Sequence, residues 1–222
     1  IWKFAYNHLN YVLFGANNHK KFLSKNKILN LEQMSHKKLS KYLISIIFFI
    51  LLISCTNEMN NYNSNKNSIL DKIKTLDTYY YEKEQLIFVD IETQQLFLLN
   101  KGKLSKNYLI SSSYYGTGSK ENSLRTPLGR HEIYKKLGEN LPINAILKGR
   151  VWNGAVAEII REPIDTEFDH VTSRILWLDG LEIGKNKGKG IDSRERYIYI
   201  HGTAEEGLIG KPASDGCIRM YN

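Results

Sequence analysis

The apolar positions change rhythm along the chain, and each rhythm predicts a different element. From Tyr42 to Ser54 the sequence reads Y-L-I-S-I-I-F-F-I-L-L-I-S, an uncharged, mostly apolar run of 13 residues. A bilayer span needs about 20 apolar residues, so this run has the proportions of a secretory h-region and not of a membrane-crossing helix. Residues 56–68, T-N-E-M-N-N-Y-N-S-N-K-N-S, carry six Asn and almost nothing apolar. Such a stretch cannot bury enough surface to fold and is expected to be a flexible tether. Ile69, Ile73, Leu76 and Tyr80 then recur at helical spacing behind Ser68 and Asp71, which are set as a capping box, and predict one short helix.

Past Gln85 the pattern changes. L-I-F-V-D-I from Leu86 and Q-L-F-L-L-N from Gln95 flank a polar turn, and N-K-G-K leads into L-S-K-N-Y-L-I-S. These are hairpin signals. Further strands are expected at Arg130–Lys135, Thr172–Leu178 and Arg196–His201, separated by irregular Gly-rich segments. The fold class implied is mainly β, from about Leu86 to the last residue, with a short helix before it.

The ends of the apolar run add targeting chemistry. Met34 is the first methionine, and M-S-H-K-K-L-S-K forms a basic segment before the run. Leu52-Ile53-Ser54-Cys55 closes it and resembles a bacterial lipobox: a small residue precedes the cleaved bond, and the cysteine sulfur takes a diacylglycerol. The alternative is an ordinary signal peptide, or an anchor, with an incidental cysteine. The expected organisation is therefore an upstream extension foreign to the protein at residues 1–33 or, alternatively, a genuine cytoplasmic extension there, a lipoprotein signal peptide at 34–54, lipidated Cys55 with tether and helix at 55–85, and the folded domain at 86–222. The expected location is extracytoplasmic, membrane-anchored through Cys55.

Charge changes the picture little. The formal net charge of +8 is concentrated before residue 55, where eight Lys face only Glu32. The remaining chain holds 23 of the 31 basic and 22 of the 23 acidic residues, a net of +1. A nearly neutral surface does not attract a polyanion, and no nucleic-acid motif occurs, so no nucleic-acid partner is expected. There is no phosphate loop and no paired-Cys or His-Glu-x-x-His signature, and no metal or organic cofactor is expected. Two cysteines, Cys55 and Cys217, are too few for a stapled scaffold.

Chemistry gathers in the last segment, Y-I-Y-I-H-G-T-A-E-E-G-L-I-G-K-P-A-S-D-G-C-I-R-M. A β-run ends in His201-Gly202, and twelve residues separate Gly202 from Asp215-Gly216-Cys217. A thiol is a useful acyl-transfer nucleophile only as thiolate, and an adjacent imidazole can take its proton. Glycines let a substrate carbonyl approach backbone N–H groups that stabilise an oxyanion. On residue types alone, a buried structural cysteine and a strand-end histidine remain the alternative.

His201-Gly202 followed by Ser214-Asp215-Gly216-Cys217-Ile218-Arg219 resembles the active-site motif of L,D-transpeptidases with the YkuD-type catalytic domain. Val89-Asp90 through Leu98 is similar to that family's opening hairpin, Ser111-Ser112-Ser113 to its following strand end, and Thr126-Pro127-Leu128-Gly129-Arg130 to its T-P-x-G segment. The resemblance covers about Leu86–Asn222. It implies a YkuD-like β-sandwich or barrel acting, as a monomer, on peptidoglycan stem tetrapeptides. It also implies roles: Cys217 as nucleophile, His201 as its base, the Gly202 carbonyl orienting His201, and the Gly216 and Cys217 N–H groups as oxyanion hole. Ser214, Asp215 and Arg219 are carried over as substrate-binding positions, with Arg219 clamping a substrate carboxylate or, alternatively, making a surface ion pair. Two departures stand out. Asp215 replaces the usual His, where a carboxylate would oppose a thiolate. The chain also stops five residues after Cys217, where the family continues into a further strand or helix, so the domain is expected to be incomplete at this end. The alternatives to transpeptidation are a hydrolase on the same scaffold, trimming stems or detaching wall-linked proteins, and an inactive wall-binding lipoprotein. His131 and His170 are expected to be ordinary polar residues. Tyr114, Tyr115 and Gly116 fit a cleft lining or simple packing, and Trp152 and Trp177 fit core or rim.

Overall fold

The computed structural model describes residues 11–15, 47–50, 52–54, 68–77, 81 and 83–222. Met34, Cys55 and residues 56–67, on which the leader and tether expectations rest, lie outside the described residues. The chain divides into two compact units, one of residues 1–17 with 73–222 and one of residues 18–72. Residues 68–76 are helical, as the spacing of Ile69, Ile73 and Leu76 predicts, and residues 47–50 and 52–54 are helical too. No helix among the described residues is long and apolar enough to cross a membrane.

The larger unit is mainly β. Its strands are β1 (Tyr11–Gly15), β2 (Gln85–Asp90), β3 (Gln95–Asn100), β4 (Lys103–Leu109), β5 (Gly129–Leu137), β6 (Ala145–Lys148), β7 (Val151–Val156), β8 (Val171–Gly180), β9 (Tyr199–Thr203) and β10 (Ile218–Met220). They form a mixed sheet in the order β10-β9-β8-β5-β1-β2-β3-β4, with β6 pairing β7 and β8 off this path. The two ends of the path meet. Ser111, just past β4, bridges Arg219 of β10, donating N–H to its carbonyl at 2.9 Å and accepting from its N–H at 2.8 Å. That closure turns Val89, Leu96, Leu98, Leu176, Ile200 and Ile218 into one core.

The hairpins of β2, β3 and β4 fall where the apolar runs and the polar turns between them predict, with β2 and β3 buried on both faces. Residues 1–33, expected to lie outside the domain, supply β1: Tyr11–Gly15 runs parallel to β2 and antiparallel to β5, with Val12, Leu13 and Phe14 buried. Its partners lie more than 70 residues downstream, a pairing that no local pattern reveals. Arg196 and Tyr197 lie outside β9, since the chain turns there with Tyr197 at φ +57°. The β6–β7 hairpin was not anticipated either. It turns on Gly149 and Arg150, at φ +58° and +70°, the geometry of a two-residue type I′ loop.

Strand alternation sorts the last three long strands into two faces. Leu176, Leu178, Ile198, Ile200, Ile218 and Met220 enter the main core. Ile175, Trp177, Tyr199, His201, Cys217 and Arg219 share the opposite face, set by the registers Ile175↔His201, Trp177↔Tyr199 and Arg219↔His201.

Candidate active site

β9 and β10 run parallel, and their register puts Arg219 beside His201 and Cys217 one step before the paired Ile218 and Ile200. The motif residues separated by the 203–214 segment are thereby adjacent. Cys217 is half-buried at the edge of a small apolar cluster of Leu147, Ile175, Tyr199 and their neighbours. Its sulfur accepts a hydrogen bond from the Tyr199 N–H at 3.4 Å, and its S–H points to the Tyr197 carbonyl at 3.5 Å. His201 is buried, and its Nδ1 donates to the carbonyl of Gly202 at 2.7 Å. A carbonyl can only accept, so this bond fixes the Nδ1–H tautomer and leaves the lone pair on Nε2. No hydrogen bond joins His201 to Cys217 among the described residues.

Both groups are held neutral. Burial pushes the Cys217 thiol up to about 12, with the Tyr199 N–H opposing, Asp169 reinforcing, and Arg219 and Arg196 opposing. Burial also lowers the His201 imidazole, against the pull of Asp169 and the Gly202 carbonyl. A thiol near 12 is almost fully protonated at neutral pH, and its thiolate fraction grows tenfold per pH unit. Alkylation of Cys217 by iodoacetamide should therefore accelerate about tenfold per unit between pH 7 and 10 without levelling. A plateau below pH 9 would show a thiolate stabilised by the imidazole.

Two glycines are required by position. Gly216 sits at φ +118°, where a side chain is strained. A Cβ on Gly202 would lie 2.9 Å from the Thr172 carbonyl, so β9 approaches β8 this closely only because residue 202 has none.

The loop before Cys217 is organised from within. Ser214 is buried, its hydroxyl donating to the Cys217 carbonyl at 2.6 Å and accepting from the Gly216 N–H at 3.3 Å. Thr126 of the T-P-L-G segment donates to the Gly216 carbonyl and accepts from the Ser113 N–H, both at 3.0 Å. The Ala213 and Ser214 N–H groups both reach the Ser112 carbonyl. The Ser111–Ser113 and Thr126 matches thus brace the cysteine loop. Ser214, expected to meet substrate, is engaged inside the fold.

Arg219 departs furthest from expectation. It is 2 % exposed, with one nitrogen on Glu205 and another on Asp169, each at 2.8 Å. Glu205 in turn accepts from the Thr166 N–H and hydroxyl at 2.8 and 2.6 Å, tying the 157–170 segment to β10. An arginine so enclosed has no face for a substrate carboxylate. Asp215 is exposed as a residue, and the partial desolvation of its carboxyl together with nearby Asp169 raises it. The carboxylate that bears on the thiol is Asp169, not Asp215. Asp169 also acts on His201, and one of its oxygens is buried without a hydrogen-bond partner. Nothing in the sequence marks it among the acids of the 158–169 segment.

Other residues take structural places. His131 is fully buried, bonded to Ser193 and to the Gly129 carbonyl, and lowered to about 4 by burial. His170 stacks on Phe168, Tyr114 and Tyr115 are exposed, and Trp152 stands at the rim on β7. No group of three His, Cys, Asp or Glu side chains among the described residues is placed to hold a metal.

What this face offers is a half-buried thiol beside a neutral imidazole of fixed tautomer, backed by a braced glycine turn. Compared with known families, residues 84–222 match the model of the L,D-transpeptidase catalytic domain, YkuD. No curated protein matches the chain.

Proposed function

Since the chain belongs to the YkuD L,D-transpeptidase catalytic domain family over residues 84–222, we propose that it is a cysteine-dependent acyltransferase acting on peptidoglycan stem tetrapeptides. The observation that carries the reading is that the family match includes the β9–β10 pair, which brings Cys217, immediately before β10, next to the strand that carries His201.

The reaction starts from neutral partners. The Cys217 sulfur attacks the carbonyl of the third stem residue as its proton passes to His201 Nε2. Ionising the thiol alone is unfavourable at about 12, so the transfer accompanies attack. The Gly202 carbonyl, already bound to Nδ1–H, stabilises the imidazolium and holds the ring. The Gly216 and Cys217 N–H groups face the developing oxyanion, which requires Gly216 to exchange its long 3.3 Å bond to Ser214 for the substrate oxygen. The imidazolium then protonates the leaving amine of terminal D-alanine, and a thioester remains on Cys217. An acceptor amine, from another stem or from a protein, then attacks the thioester; His201 Nε2, neutral again, takes the amine's proton and returns it to the departing Cys217 sulfur, so that an amide and the free thiol result. The site of action is extracytoplasmic, with a monomer anchored through lipidated Cys55.

Incubating the full chain with a disaccharide-tetrapeptide and a D-amino acid tests this. The expected products are free D-alanine and a stem whose fourth residue is exchanged, with a thioacyl adduct on Cys217 by mass. Release of D-alanine without exchange would mean hydrolysis. No adduct and no release would refute the enzymatic reading.

A further inference from the structure

With Arg219 enclosed between Glu205 and Asp169, the site needs another group to meet an anionic substrate. Arg196 lies near the thiol, but its two terminal nitrogens are fixed on the carbonyls of Gly118 and Arg125, at 3.2 and 2.7 Å. Arg194 pairs with buried Asp179 at 3.7 Å. Arg150, at the tip of the β6–β7 hairpin, is placed differently. Its guanidinium carbon lies 4.7 Å from the Trp177 ring centre and 4.8 Å from that of Tyr197. One of its nitrogens donates to the Tyr199 hydroxyl at 3.1 Å.

That arrangement orients without consuming the donors. Stacking engages the faces of a guanidinium and leaves its in-plane N–H groups, which match the two oxygens of a carboxylate. Arg150 carries five such donors, and the Tyr199 bond uses one. The residue stands at φ +70°, a conformation disfavoured for any side chain but glycine. The type I′ turn of the β6–β7 hairpin requires it. Tyr199 also ties this cation to the nucleophile, because its backbone N–H donates to the Cys217 sulfur while its hydroxyl accepts from Arg150. Arg150 further lines an open groove of about 420 Å³ with Leu137, Leu141 and Leu147; Leu147 belongs to the small apolar cluster against which Leu137, Leu141 and Cys217 each pack. The groove's acid, Glu139, is exposed.

We propose that Arg150, clamped on Trp177 and Tyr197, is the specificity-determining residue that recognises the terminal carboxylate of the acyl donor. This rests on the transpeptidase reading above. The leaving residue of a tetrapeptide donor bears that carboxylate beside the scissile bond, whereas a blocked or extended peptide lacks it at this distance.

The test compares a tetrapeptide ending in a free carboxylate with its C-terminal amide. Calorimetric binding to the full chain carrying Cys217→Ala, which cannot turn over, should favour the acid about tenfold. Adding Arg150→Gln, which keeps a donor for Tyr199 and removes the charge, should erase that preference, and Arg150→Lys should restore part of it. A preference that survives Arg150→Gln overturns the proposal, as does the absence of any preference in the Cys217→Ala protein. Thioacyl formation by the unaltered chain is followed in parallel. If the adduct forms while Arg150→Gln keeps the preference, the enzymatic reading stands and Arg150 is not the recogniser. If neither peptide acylates Cys217, the enzymatic reading fails and this inference falls with it.

Discussion

Cys217→Ala is expected to abolish thioacyl formation and amine exchange on tetrapeptide stems while leaving the fold intact. The sulfur is the atom that would carry the acyl group, so no residual pathway through it survives. The substitution is mild for the domain. Cys217 is half-buried at the margin of its cluster, and its side chain's two hydrogen bonds, with Tyr199 N–H at 3.4 Å and the Tyr197 carbonyl at 3.5 Å, are weak because sulfur is a weak donor and acceptor. His201→Ala should cost about 10²–10⁴ in acylation rate, the usual contribution of a positioned general base. The thiol's position near 12 makes the base matter, since spontaneous thiolate is scarce at neutral pH. The double variant should be no worse than Cys217→Ala alone, because groups acting as one unit do not lose activity additively. Acylation is read by intact-protein mass and folding by thermal melting. Wild-type exchange in a folded Cys217→Ala protein would end the mechanistic reading.

Arg219→Met is expected to destabilise the domain by about 3–5 kcal/mol, because removing one partner of a buried ion pair strands the others. Arg219 and Glu205 are 2 % and 1 % exposed along their side chains, so water cannot replace the lost contact. For a domain of this size the loss corresponds to a Tm drop of roughly 6–20 °C. Glu205→Gln added to Arg219→Met should recover much of it, since a neutral amide at 205 still accepts from Thr166 and no longer requires a countercharge. The remaining deficit reflects Asp169, whose side chain is 36 % exposed and can be rehydrated. A Tm change below about 2 °C for Arg219→Met would show that the pair contributes no net stability. Such a result would also reopen Arg219 to a role against substrate.

The parts of the molecule legible in the sequence are those specified locally. Short apolar runs bounded by polar turns mark β2 and β3, which are buried on both faces, and the turn residues between them and before β4 mark the hairpins. His201-Gly202 and the Gly216-Cys217 turn are legible as a motif because a donated Nδ1–H, a close β8–β9 approach and a positive φ each demand one residue type in one place. The rest depended on which distant segments meet. β1 gains its place only by lying between strands that start more than 70 and 110 residues later. Arg219 reads in sequence as a polar residue near the nucleophile. Closure of the sheet at Ser111 and the approach of the 157–170 segment bury it against two acids instead. Asp169 is one acid among several until Arg219, His201 and Cys217 come within range of its charge. Arg150 is a turn residue until the β6–β7 hairpin lays it on Trp177 and Tyr197. Backbone demands are written residue by residue, whereas burial and electrostatic partnership are properties of the packed pair and exist only once the sheet has closed.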